Sequence, residues 1–174
     1  MFGRTHVEID QKYLDQLLSL SLNPDIIREQ NGLKIVYTPI HGSGVSLVPD
    51  TLKAFGFGEV YNVPEQDITD GDFPTVFSPN PEEKAALNMA IERARELDAD
   101  LVMATDPDAD RVGIAVKDSD GEFILLNGNQ TASLLIYYVL HQWKEKGMVT
   151  GKEYIVKTIV TTPLLTEIAN SFGV

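Results

Sequence analysis

Thr105-Asp106-Pro107-Asp108-Ala109-Asp110-Arg111 is the segment of this 174-residue chain best equipped for chemistry. It follows Leu101-Val102-Met103-Ala104, a short apolar run that reads as a buried parallel strand. If the segment continues extended, side chains two apart share a side. Asp106, Asp108 and Asp110 would then converge, with Pro107 and Ala109 facing away. Carboxylates crowded in this way repel one another, and a hard divalent cation is the natural remedy. The position suits a ligand, because open α/β sheets bind beyond the carboxyl ends of their strands. Arg111 adds a fixed positive charge suited to a phosphate.

Two other aspartate-rich motifs fit less well. A calcium-binding EF-hand loop needs Gly at its sixth position and Glu at its twelfth, where this chain has Arg111 and Lys117. An aspartate-nucleophile phosphatase would use Asp106 and expects Thr or Val four residues later, where Asp110 stands. It would also need a downstream lysine, which Lys157 could supply, and a second acidic pair at a strand end, which is not found.

The elements that must position this loop alternate between helix and strand. Tyr13, Leu14, Leu17 and Leu18 predict an amphipathic helix over 10–21, and Leu33 to Tyr37 a strand. A turn through Pro39-Ile40-His41-Gly42-Ser43-Gly44 leads to a helix with Ser46 as N-cap, Pro49 in its first turn and Gly56 as C-cap. Its two glycines read as turn geometry, and His41 is a further candidate for the cleft. Glu59 to Val63 is the next strand, and 64–79 a long acidic loop that reads as solvated. Asn80-Pro81-Glu82-Glu83 reads as a capped helix start. Val112 to Val116 and Glu122 to Leu126 flank Asp118-Ser119-Asp120-Gly121, a hairpin signal. A helix over 129–146, with Tyr137, Tyr138 and Trp143 as packing residues, precedes a strand from Tyr154 to Val160 and a helix from Pro163. His6 and His141 have no partner at a suggestive spacing. The alternation predicts a three-layer α/β fold, a mostly parallel sheet with helices on both faces, followed by a truncated second α/β unit.

Composition narrows the function classes. With 43% apolar and 23% charged residues the chain has a core to bury. Twenty-six acidic against 14 basic residues, a net charge of −12, argue against nucleic acid and against an anionic membrane. The absence of cysteine removes disulfides and thiolate metal sites. With no signal peptide or membrane span, the expectation is a soluble cytoplasmic protein.

Ala104-Thr105-Asp106-Pro107-Asp108-Ala109-Asp110-Arg111-Val112-Gly113 resembles the metal-binding loop of the α-D-phosphohexomutases, the phosphoglucomutase/phosphomannomutase family. Tyr37 to Gly44, Phe73 to Val76, Ser78 to Glu83 and Leu126 to Gln130 resemble that family in order, closest to the branch that includes phosphopentomutase-like members. The resemblance implies a four-domain parent, of which residues 1–120 are the second domain and 121–174 the start of the third. It implies Mg²⁺ held by Asp106, Asp108 and Asp110, with Arg111 as catalytic and substrate-binding residue and His41 as a substrate-side candidate. The implied activity is an isomerase interconverting sugar 1- and 6-phosphates through a phosphoserine and a sugar bisphosphate. Phosphomannomutase or phosphopentomutase specificity is an alternative, as is a non-catalytic module binding a cation or sugar phosphate. The family's phosphoserine segment is not matched: Thr131-Ala132-Ser133 runs on into Leu134-Leu135. The fragment alone is therefore expected to be inactive, its partners being sugar phosphates and the parent's remaining domains.

Overall fold

The computed structural model describes residues 3–174, with side chains from Glu8 onward; the side chain of His6 lies outside the described residues. Two compact units divide between Leu125 and Leu126.

The first unit is built on a sheet of order β2-β1-β3-β4-β5: β1 Lys34–Thr38, β2 Glu59–Asn62, β3 Leu101–Thr105, β4 Val112–Lys117 and β5 Phe123–Leu126, whose last residue opens the second unit. The expected parallel arrangement holds for β1 with β2 and β3, whereas β3 and β4 pair antiparallel. The sheet is therefore mixed. Only the tight turn 106–111 separates the paired residues Thr105 and Val112, too short a link for a crossover helix. Asp118 closes the hairpin between β4 and β5: its carboxylate accepts from the amides of Asp120 and Glu122.

Helices α1 (Gly3–Ser19), α2 (Pro24–Glu29), α3 (Leu47–Phe55) and α4 (Lys84–Glu96) accompany the sheet. Val36, Val102, Ala104 and Ala115 point to one face and bury Ala86, Leu87, Ala90, Ile91 and Ala94 of α4. Each fully buried aliphatic side chain of Val, Leu or Ile there is worth about 1.5–3 kcal/mol. Ile35 and Tyr37, pointing the other way, are also buried, and Tyr37 meets the segment that leads into α3. Both faces are thus covered.

Several expectations need correction. Helix α4 begins at Lys84, not at Asn80: the Asn80 carboxamide accepts from the Glu82 amide in a local turn, which competes with helix nucleation. The short helix α2, unmarked by periodicity, fills a stretch left without an element. In the second unit, α5 (Gly128–Glu145) opens with a reciprocal cap between Asn127 and Gln130 and packs on α6 (Leu164–Phe172). Tyr154 to Val160 is not a strand among the described residues. Its β-branched side chains have no neighbouring strand to pair with, and Tyr154, Val156, Ile159 and Val160 stay more than four-fifths exposed. Tyr137 and Tyr138 are about half exposed rather than packed inside, Tyr137 meeting Phe172 edge-on.

Candidate metal and phosphate site

Strands β1 and β3 are parallel neighbours, with Thr38 opposite Ala104. Their carboxyl ends therefore deliver the turn 39–43 and the loop 106–111 side by side. Ser43 ties them together, donating to the Pro107 carbonyl through both its amide (2.8 Å) and its hydroxyl (3.0 Å). Gly42 lies so close that a Cβ there would sit 2.4 Å from the Pro107 Cα. Its φ of −95° is ordinary, so glycine is required for this approach and not, as the turn suggested, for conformation. The left-handed residues of the turn are Ile40 (φ 46°) and His41 (φ 62°).

The aspartate loop is a tight turn, not the extended segment the alternation assumed. The Ala109 amide donates to the Asp106 carbonyl at 3.0 Å, and Ala109 is left-handed with φ 60°. The aspartates still converge: one carboxylate oxygen from each of Asp106, Asp108 and Asp110 lies within 4.8 Å of the other two. Asp106 is buried, while Asp108 and Asp110 face solvent. Asp108 and Ala109 also line a cavity of about 380 Å³ with Tyr13, Leu17, Ser43 and Leu47.

Arg111 belongs to the same unit. Its amide donates to Asp106 Oδ1 at 3.0 Å, and its Nε to Oδ2 at 2.8 Å. Among the described residues the guanidinium pairs through Nε, and the side chain is 54% exposed, so its other donors stay open to an anion. Burial raises the Asp106 carboxyl, but the Arg111 donors and charge outweigh it and hold it below the usual range. Asp110 is pushed up by the charges of Asp108 and then Asp106. A donor set of three clustered carboxylates, two of them facing solvent, fits a hard divalent metal.

His41 sits elsewhere than expected. The ring is 2% exposed, with Nδ1 2.8 Å from the Ile68 carbonyl and Nε2 2.8 Å from Thr75 Oγ1. Neither nitrogen is directed at open space. Its partners come from the acidic loop that the sequence presented as solvated, in which Gln66 is fully buried and Asp67 is pushed up by burial. Gln66 carried no signal: an amide in an acidic stretch looks like surface.

The profile described as "Phosphoglucomutase/phosphomannomutase, alpha/beta/alpha domain II" matches residues 11–121. The chain belongs to the phosphoglucomutase/phosphomannomutase family. It is 37% identical over 164 residues to a probable phosphoribomutase of Schizosaccharomyces pombe, covering 94% of this chain and 28% of that protein. It is 40% identical over 135 residues to a phosphoglucomutase of Staphylococcus haemolyticus, covering 78% and 24%. The chain thus spans about a quarter of the length of these mutases. A crystal structure of a putative phosphomannomutase from Thermus thermophilus superposes with a TM-score of 0.69 at 21% identity, covering 95% of this chain and 34% of that one, and shows the shared fold. Asp106, Asp108, Asp110 and Arg111 all lie inside the domain II match. No helix among the described residues is long and apolar enough to cross a membrane.

Proposed function

We propose that the chain is the metal-bearing portion of a phosphoglucomutase-type phosphohexomutase, residues 1–120 forming its second domain and 121–174 the start of its third. The parent would interconvert sugar 1- and 6-phosphates through a phosphoserine and a bisphosphate intermediate, working in the cytoplasm. The convergence of three carboxylates at the end of β3, with Arg111 bonded to one of them, is the observation that supports this reading most directly. Asp106, Asp108 and Asp110 would hold Mg²⁺. When bound, the cation would supply stabilisation of the charge carried by the transferring phosphoryl group.

The chain's own residues have separable tasks. Asp106, buried and fixed by Arg111, sets the geometry of the loop. Asp108 and Asp110, exposed, complete the negative charge that the cation requires. Arg111 offers its open donors to a phosphate oxygen, the bidentate chemistry at which guanidinium excels. The sugar phosphate and bisphosphate, with the parent's other domains, would be the partners of this site.

A Mn²⁺ titration followed by water-proton relaxation tests the site directly. Weak binding by the native chain, lost in Asp106→Asn, is expected. Equal relaxation enhancement in both proteins would rule the loop out as the metal site.

A further inference from the structure

The buried polar cluster beneath the 39–43 turn has a directionality that assigns its protons. The Ile40 amide donates to Thr38 Oγ1 at 3.1 Å, and that hydroxyl donates to Gln66 Oε1 at 2.7 Å. Gln66 Nε2 donates to Thr75 Oγ1 at 3.1 Å, and the same hydroxyl lies 2.8 Å from His41 Nε2. A carbonyl only accepts, so His41 Nδ1 must carry the proton given to the Ile68 carbonyl at 2.8 Å. Backbone bonds complete the clamp: the His41 amide donates to the Gln66 carbonyl, and the Asp70 amide to the His41 carbonyl.

We propose that His41 is a positioning residue for the aspartate loop, held as its Nδ1–H tautomer so that it closes this chain of hydrogen bonds and fixes the turn that grips Pro107. Ile40 and His41 are consecutive left-handed residues, and a β-branched side chain such as Ile40 disfavours that backbone. Such a conformation persists only where its surroundings over-determine it. The cluster supplies that constraint from both sides, binding the Ile40 amide, the His41 amide and carbonyl, and the ring. Two residues on, Ser43 makes its paired bonds to the carbonyl of Pro107, the residue between Asp106 and Asp108. Relaxation of the turn would thus release the loop at its middle. The consequence for catalysis rests on the proposed metal site, but the positioning itself does not.

The test needs no metal. In ¹⁵N-labelled protein at neutral pH, long-range proton–nitrogen spectra should report His41 as the Nδ1–H tautomer. Hydrogen exchange should then be compared at Ser43 and Arg111 against the β1 amides as an internal reference. Thr75 is exposed at the surface, so Thr75→Val removes the hydroxyl that links Gln66 to His41 without emptying the core. Thr75→Val and His41→Ala should accelerate exchange at Ser43 and Arg111 at least tenfold, leaving β1 unchanged. His41→Asn, which tolerates the left-handed backbone and keeps a donor for the Ile68 carbonyl, should recover part of the protection. An Nε2–H tautomer, or unchanged exchange at Ser43 in Thr75→Val, would overturn the proposal. Loss of Mn²⁺ binding with the network intact would instead strike only the metal assignment.

Discussion

Arg111 bonds twice to the carboxylate of Asp106, once from its own backbone amide and once from Nε. A residue five positions along the chain thereby both shapes the loop and neutralises its one buried acid. Nε occupies the oxygen that a metal would seek, and its positive charge repels a cation. Removing it in Arg111→Ala should therefore tighten Mn²⁺ binding by roughly ten- to thirtyfold, the scale of one charge acting on a divalent ion about 4–6 Å away in water. Asp108→Asn should act oppositely, since it deletes a ligand charge. Relaxation titrations of the two variants, compared with the native chain, would show opposite displacements. Weaker binding in Arg111→Ala would mean that shaping the loop outweighs the repulsion.

Close approach makes Gly42 and Gly113 intolerant of any side chain. A Cβ at Gly113 would lie 2.0 Å from the Pro81 carbonyl oxygen, and one at Gly42 would strike the Pro107 backbone. Overpacking against backbone costs roughly 1–3 kcal/mol, or a fall of several degrees in Tm. Gly32→Ala, with nothing within 4 Å of the new methyl, is the control and should melt like the native chain. Thermal denaturation of the three variants, in which Gly42→Ala or Gly113→Ala matched Gly32→Ala, would contradict these contacts.

The legibility of the site differs residue by residue. The aspartates and Arg111 were legible as a candidate site because crowded like charges directly after a strand show in the spacing alone. Their geometry could not, since Ala109 adopts a left-handed turn that no spacing reveals. His41 stood out as a titratable group in a glycine-bearing turn. Its burial depends on Gln66 and Thr75, brought to it by a loop without periodicity. Gly42 drew attention for the wrong reason, because a glycine needed for contact looks the same in sequence as one needed for φ. Tyr154 to Val160 has every local mark of a strand, yet a strand exists only with a neighbour.

Tyr37 should report the integrity of the turn by titration. Burial pushes its phenol up to about 12, and its hydroxyl lies 2.8 Å from Thr105 Oγ1. In the unfolded chain the same group ionises near 10. An acid whose folded value is raised favours the folded state while protonated, so its contribution is intact below about pH 10 and is lost as pH rises from there toward about 12. Tyr37→Phe should show a shallower loss of stability across that window in chemical denaturation. Identical slopes for native and variant would show that the phenol is not held protonated by the fold.

Proteolysis should distinguish two exposed-looking loops. The 64–77 segment is pinned through Gln66, Ile68 and Thr75, so it should resist cleavage. Residues 151–161 have no ladder and several side chains that are largely exposed, which are the conditions proteases favour. Early cuts mapped by mass spectrometry should therefore fall in 151–161, releasing a fragment that retains the first unit. First cleavage within 64–77 would show that the polar clamp is not formed in solution.

Activity is the sharpest test of the proposed function. Phosphoryl transfer needs an attacking group held in line with a charge-stabilising centre. This sequence provides Asp106, Asp108, Asp110 and Arg111 but no match to the family's phosphoserine segment. The isolated chain should therefore fail to interconvert glucose 1- and 6-phosphate, even with Mg²⁺ and the 1,6-bisphosphate added. In a complete parent enzyme, Asp106→Ala should lower kcat/KM by roughly a hundredfold or more, the scale of losing one electrostatic stabiliser. Arg111→Ala should do the same while binding Mn²⁺ more tightly, separating its role toward phosphate from its repulsion of the cation. Turnover by the isolated chain would place the nucleophile within it, and a fully active Asp106→Ala parent would remove this loop from the mechanism.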